Sequence, residues 1–425
     1  MHDIQVIRDD PEGVKAGLAR RGMDAPIDQI LELDAERRST LTEVESLKAE
    51  RNTVSREIGR TKDPDEREEK IKAMRALGSR VDELDVRVNE VEQDLHRIMS
   101  EIPNVPDPSA PDGPDESGNK VIKTVGEKPS YSFNPLPHWD LGPQLGILDF
   151  ERGAKITGSR FYILSGAGAR LQRALISWML DLHIRQGYLE QYPPFLVRGE
   201  TLFATGHLPK FADNLYRDAE EDLYMVPTAE VPLTGMHRDE ILEKENLPIH
   251  YCAYTACFRR EKMSAGRDVR GIKRGHQFDK VEMYTYCEPS ESDNEMERML
   301  GHAEETCAQL GLTYRILELC TGDLSFSARK GYDIEVWAPG CEEWLEVSSI
   351  SNCGDFQARR ANVRFKPDSK AKTRFPHTLN GSGLGLPRAL IAVLETFQQE
   401  DGSVIVPEVL KPWMGGLEHI EAVEG

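Results

Sequence analysis

The chain has 425 residues, enough for two to three domains at about 150 residues each. Apolar residues make up 39% and charged residues 30%, an ordinary globular balance that excludes wholesale disorder. The net charge of −20 argues against a surface that binds nucleic acid everywhere, though it leaves room for a local basic patch.

The opening residues, MHDIQVIRDDPEG, are acidic and contain no apolar signal core. The longest aliphatic run, Ala389 to Leu394, is far too short to span a bilayer. The seven cysteines contain no CxxC pair, and the histidines have no zinc-ligand spacing, so neither a disulfide framework nor a zinc site is expected. Each thiol reads as a buried or half-buried side chain. A cytoplasmic protein without membrane contact is the expectation.

The first predicted element is a helical hairpin. A 3-4 spacing picks out Ile30, Leu33, Arg37, Thr40, Val44, Leu47, Arg51, Val54 and Ile58, then Met74, Leu77, Val81, Leu84, Val88, Val91, Leu95 and Ile98. Between them GRTKDPD (Gly59 to Asp65) supplies the turn. The two helices, each about 50 Å long at 1.5 Å per residue, should project as an arm over about 27–101 of an N-terminal domain, 1–101. The outer half, Lys48 to Arg80, carries ten basic residues against seven acidic ones. A solvated face with i,i+4 pairs explains that balance, and contact with a phosphate backbone is the alternative.

The next segment, 102–119, holds five prolines without apolar periodicity and reads as a linker. From 120 to 425, helical segments such as Ala169 to Gln186 alternate irregularly with short β-rich runs: Tyr284 to Cys287, Ile334 to Trp337, Trp344 to Ser349 and Ser403 to Val406. Without a βαβ rhythm, an α+β fold with an antiparallel sheet and flanking helices is predicted.

Four segments of this half carry chemistry. FRREKMSAGRDVRGIKRGHQFDKVEM (Phe258 to Met283) holds seven Arg or Lys residues before His276 and reads as strand, glycine-bearing loop (Gly266, Gly271), strand. Its arginines could clamp phosphates while Phe278 stacks on a base, or the segment could be a basic surface hairpin. VPTAEVPLT (Val226 to Thr234) places a single acid, Glu230, among apolar residues, where it needs a partner such as a ligand ammonium. WLEVSSISNCGDFQARR (Trp344 to Arg360) puts Glu346 on an apolar strand ahead of small hydroxyl residues. TLNGSGLGLPR (Thr378 to Arg388) leads glycines into a helix with Pro387 at its start and Arg388 in its first turns.

Together with GYLEQYPPFLV (Gly187 to Val197) and the arm, these segments resemble the class II aminoacyl-tRNA synthetases, and within them the bacterial seryl-tRNA synthetases. The order TAE, FRRE…HQFDKVE, EVSS…DFQARR, NGSG…R carries the resemblance. It implies a six- or seven-stranded antiparallel sheet flanked by helices, with a coiled-coil arm before it and a dimer built around the Gly187 segment. It implies ATP and Mg²⁺ as cofactors, and L-serine, tRNA(Ser) and also tRNA(Sec) as partners.

For ATP the resemblance implies Arg259, Arg260, Glu261, Gly275, Phe278, Glu346, Val347, Ser348, Ser349 and Arg388. Among these, Arg259, Glu346 and Arg388 would be catalytic, and Glu346 and Ser349 would hold Mg²⁺. For serine it implies Thr228, Ala229, Glu230, Arg259, Glu282, Asn380 and Ser382. For tRNA it implies Lys48, Arg51, Arg56, Arg60, Lys62, Lys70 and Arg75 on the arm, reaching a tRNA held by the other subunit. Gly275 departs from the family, which often has Val there, as do Lys262-Met263 and Gly385.

Two other readings compete. A ligase for carrier proteins would lack the arm, which is present. An inactive scaffold would have lost Arg259, Glu346 or Arg388, which are also present.

Overall fold

The structure is a computed structural model that describes residues 1–262, 270–368 and 370–421. Met263, Gly266 and Arg267 of the predicted hairpin loop lie outside the described residues. The chain divides into two compact units, 1–19 with 23–103 and 20–22 with 104–425.

The first unit is built on helices α1 (Ile27–Ile58) and α2 (Pro64–Ser100). Asp63 caps α2, its carboxylate accepting from the Asp65 and Glu66 N–H groups, both at 3.0 Å, with Pro64 at the first helical position. The predicted seam is buried on α2 at Val81, Leu84, Val88, Val91, Leu95 and Ile98, and on α1 at Ile30 and Val44. Its polar members are handled locally. Arg37 donates to Glu92 at 3.1 Å, and the Thr40 hydroxyl to the Glu36 carbonyl at 2.9 Å. Asp34, off the predicted seam, is wholly buried and accepts from Arg8 at 2.6 Å and Arg38 at 3.0 Å.

The second unit centres on one sheet. Its strands are β1 (Lys120–Val125), β2 (Leu189–Gln191), β3 (Ile249–Phe258), β4 (Gln277–Cys287), β5 (Tyr314–Glu318), β6 (Lys330–Ala338), β7 (Glu343–Gly354) and β8 (His377–Gly385). The spatial order is β1-β5-β6-β7-β8-β4-β3-β2. The sheet therefore has eight strands rather than six or seven, and one pair, β2 with β3, is parallel. Both extra strands are edges. β1 is exposed along nearly its whole length and β2 is three residues long, so neither leaves an alternating signal.

Helices α3 (Gly166–Arg185), α4 (Ser292–Gln309) and α5 (Leu386–Thr396) bury one face of the sheet, where Trp178, Met299 and Leu390 meet Met283, Ile334 and Leu379. The aliphatic run Ala389 to Leu394 is wholly buried inside α5, each large side chain contributing about 1.5–3 kcal/mol. On the opposite face lie Tyr284, Tyr286, Ala229 and Phe365, beside the functional groups. The segment expected to be a linker is folded onto this unit from Asn104 onward. Asn104 donates to the Ser327 and Cys353 carbonyls at 2.9 and 2.8 Å, and Asp107 pairs with Arg329. Proline there sets turns against a packed surface. Among the described residues no helix is long and apolar enough to cross a membrane.

Candidate active site

The predicted strand-loop-strand is β3 and β4, paired antiparallel from Ile249↔Tyr286 to Phe258↔Gln277. Alternation along β4 turns Phe278, Lys280 and Glu282 to one side. Phe278 and Lys280 line a cavity of about 540 Å³ that collects residues from all four sequence segments, and Glu282 is wholly buried beside Lys280. Lys280 and Lys273 are each only 8% exposed, which excludes a merely basic surface hairpin.

One end of the cavity is acidic. Lys280 donates to the Thr228 hydroxyl at 2.7 Å and pairs with Glu282, which also accepts from Asn380 at 3.2 Å. Ser382 lies opposite Glu282 in the β8–β4 register. Glu230 is 8% exposed and accepts from Gln357 at 2.6 Å. Burial and the neighbouring Glu282 push the Glu230 carboxyl up to about 7, while Lys280, Gln357 and Arg259 hold it from rising further. Two carboxyl groups here lie beside one lysine. That excess suits a ligand ammonium. Ala229 is packed in the core behind this end and sets the position of its neighbours.

The other end is cationic. Arg259 donates to the Pro227 carbonyl at 3.2 Å, and its guanidinium lies 5.0 Å from the centre of the Phe278 ring. Glu261 adopts φ +51° and pairs with Arg274 at 3.0 Å. A Cβ on Gly275 would sit 3.1 Å from the Gln277 carbonyl and 3.3 Å from that of Arg160, so the departure from Val at this position has a local steric reason. Arg388, in the first turn of α5, donates to the Glu346 carbonyl at 2.8 Å and pairs with its carboxylate at 3.4 Å.

A bulge on β7 aims the third segment. Glu346 faces Glu335 and Ser348 faces Ile334, leaving Val347 as the extra residue. Strict alternation would put Glu346 and Ser348 on the same side. With the bulge, Glu346, Ser349 and Ser351 line the cavity, while Ser348 is buried and donates to the Ser382 carbonyl at 2.6 Å. Ser348 is therefore placed differently from the expectation. So is Arg260, which is exposed, lies outside the cavity lining and sits 5.9 Å from the Tyr216 ring. Alternation beyond Arg259 turns it away.

Glu346 and Ser349 offer the hard oxygen ligands that a magnesium ion takes. Beside them, in register with Ser349, Asp333 has a buried Oδ1 without a hydrogen-bond partner. Burial and Glu346 hold its carboxyl well above the usual carboxylate range. The orphaned Asp333 oxygen, beside Glu346 and Ser349, fits a divalent cation.

Sequence reasoning missed Lys280, Gln357, the Thr205–His207 turn and the Ser325–Ser327 segment. The Phe278–Lys280–Glu282 alternation could have found the lysine. Nothing local marks the others. On the arm, Lys48 pairs with Asp85 at 3.1 Å and Lys70 with Glu66 at 2.9 Å. Arg56, Arg60, Lys62 and Arg75 are exposed, Arg51 is half-buried, and among the described residues none of these five makes an ion pair.

The family model of the tRNA synthetase class II core domain (G, H, P, S and T) matches residues 211–397, and that of the seryl-tRNA synthetase N-terminal domain matches residues 1–106. The fold is that of a class II aminoacyl-tRNA synthetase catalytic domain. A serine–tRNA ligase of Roseiflexus sp. (strain RS-1) is 60% identical over 99% of both chains. The crystal structure of a seryl-tRNA synthetase from Pyrococcus horikoshii complexed with ATP superposes with TM-score 0.94 at 40% identity, covering all of both chains. A cytoplasmic serine–tRNA ligase from Naegleria fowleri in complex with AMP gives 0.87 at 30% identity over 99% of each. The chain belongs to the seryl-tRNA synthetase family.

Proposed function

We propose that the cavity activates L-serine with ATP and that the chain then transfers the seryl group to tRNA(Ser), with tRNA(Sec) as a second acceptor. The observation that carries this reading is the cavity's polarity, two carboxylates at one end and Arg259 with Arg388 at the other. Glu230 and Glu282 receive the ammonium and hydroxyl of serine, with Thr228, Asn380 and Ser382 around them. Arg259, at the cationic end, meets both the serine carboxylate and the α-phosphate.

Activation is an in-line attack of that carboxylate on the α-phosphate, which expels pyrophosphate. Two anions must approach, so Arg259 and Arg388 act by positioning and by stabilising charge on the transferring group. Phe278, Glu261 and Gly275 bound the adenine position. Glu346 and Ser349, with Asp333 behind them, would hold Mg²⁺, which supplies further neutralisation of phosphate charge. In the second step a terminal ribose hydroxyl of tRNA attacks the adenylate carbonyl, breaking the acyl–phosphate bond, so that AMP leaves and the seryl ester of tRNA remains.

Serine selectivity against alanine follows from buried polar groups that alanine would leave unpaired. A homodimer is part of the reading. Leu189, Tyr192 and Leu196 in the Gly187 segment are 62%, 81% and 52% exposed, which supports burial against a second subunit. The exposed arginines and lysines of the arm meet the tRNA backbone by charge and shape. The setting is the cytoplasm.

Serine-dependent exchange of pyrophosphate into ATP tests the first step without tRNA. The reading predicts exchange with serine and a far weaker signal with alanine or threonine. Exchange driven equally by all three would refute it.

A further inference from the structure

His138 and Glu395 are both wholly buried, and neither belongs to the cavity. His138 Nδ1 lies 2.8 Å from Glu395 Oε1, and its Nε2 lies 3.1 Å from the backbone nitrogen of Ile272. A backbone N–H can only donate, so Nε2 carries the lone pair and the ring proton sits on Nδ1, donating to Glu395. The Glu395 carboxylate also accepts from the His138 N–H at 2.9 Å, the Cys341 thiol at 3.1 Å and the Cys341 N–H at 2.9 Å.

His138, Cys341 and Glu395 are close enough together to hold a metal ion. A metal on Nδ1 would force the proton onto Nε2, against the Ile272 donor, so hydrogen bonding accounts for the cluster better. Burial pushes the Glu395 carboxyl up, but hydrogen bonds from His138 and Cys341 bring it below its ordinary range.

The chain approaches this histidine as closely as a backbone can. Gly271 has φ +73°, and a Cβ there would lie 2.0 Å from His138 Nε2. Ile272 then leads into Lys273, Arg274 and Gly275, which line the cationic end of the cavity. Helix α5 therefore grips this limb twice. Glu395 near its end holds Ile272 through His138, and Arg388 in its first turn donates to the Lys273 carbonyl at 3.3 Å.

We propose that His138 and Glu395 are positioning residues for ATP, fixing the Gly271–Gly275 limb so that Lys273, Arg274 and Gly275 meet the nucleotide. Neither touches substrate. The inference rests on the assignment of the cationic end to ATP.

The test is serine-dependent pyrophosphate exchange on the full chain, varying each substrate. His138→Ala and Gly271→Ala should raise KM for ATP by about tenfold while KM for serine stays within about twofold. His138→Gln, which keeps one donor and one acceptor, should recover most of that loss. Gly271→Ala and His138→Gln decide the matter if His138→Ala does not fold. An unchanged KM for ATP, or equal losses for both substrates, would overturn the proposal, as would stoichiometric zinc in the wild-type protein. Absence of exchange in the wild type would remove the ATP assignment, and this inference with it.

Discussion

At the scale of single residues, the Glu230 carboxyl, held at about 7 by burial and Glu282, changes charge near neutrality. Lys280, Gln357 and Arg259 counter that rise, and His207, which also lines the cavity, is held down at about 3 by burial and the same two cations. The ionised form is the one that pairs with an ammonium. KM for serine should therefore rise about tenfold as the pH falls from 8 to 6, with KM for ATP much less affected. A flat serine profile would remove Glu230 from that role. The folded value lies above the ordinary 4.5, so the stability this carboxyl contributes is present below 4.5 and lost as the pH rises through 7.

Gln357 is the other sensitive residue. Its amide donates to Glu230, and its oxygen accepts from Thr378 at 2.7 Å and Tyr284 at 3.3 Å. Gln357→Leu leaves those groups unpaired, at about 1–3 kcal/mol, and should raise KM for serine by about tenfold or more at unchanged KM for ATP. Steady-state exchange kinetics check it. Glu230 was legible in the sequence because a lone acid among apolar residues demands a partner. Gln357 was not, since its meaning depends on Glu230, Tyr284 and Thr378, which lie 127, 73 and 21 positions away on other elements.

At the scale of elements, the heptad seam located both arm helices and their turn, because a repeat of hydrophobic positions is a local signal. Asp34 shows what that signal omits. Against the burial that pushes it up, hydrogen bonds from Arg8 and Arg38 hold its carboxyl below the ordinary range. Its stabilisation is present above the unfolded value and lost as the pH falls. Asp34→Ala removes hydrogen bonds to two arginines, 24% and 56% exposed, and should destabilise the helical unit by about 1–2 kcal/mol. Thermal melting followed by helical circular dichroism reads that loss, and an unshifted melt would contradict it. In the sheet, the site strands were legible where alternation holds, as on β4. The β7 bulge was not, because one extra residue on a strand leaves no mark until its partner is known.

At the scale of the whole molecule, the two units divide the work. The first carries exposed basic side chains on an acidic chain, and the second carries the cavity. Removing Ile27 to Glu101 should leave serine-dependent pyrophosphate exchange near the full-length rate and abolish tRNA charging. Charging at an undiminished rate would show that the arm is dispensable. The change of periodicity after residue 101 lies close to the break between the two units after 103, whereas the packing of 104–119 onto the second unit was hidden by a composition typical of linkers.

The most direct measurement is charging of bulk bacterial tRNA by the full chain with labelled serine, ATP and Mg²⁺. A serine-specific signal that requires both tRNA and ATP is the predicted result. No charging of an RNA preparation known to accept serine, or equal charging with threonine, would contradict the account.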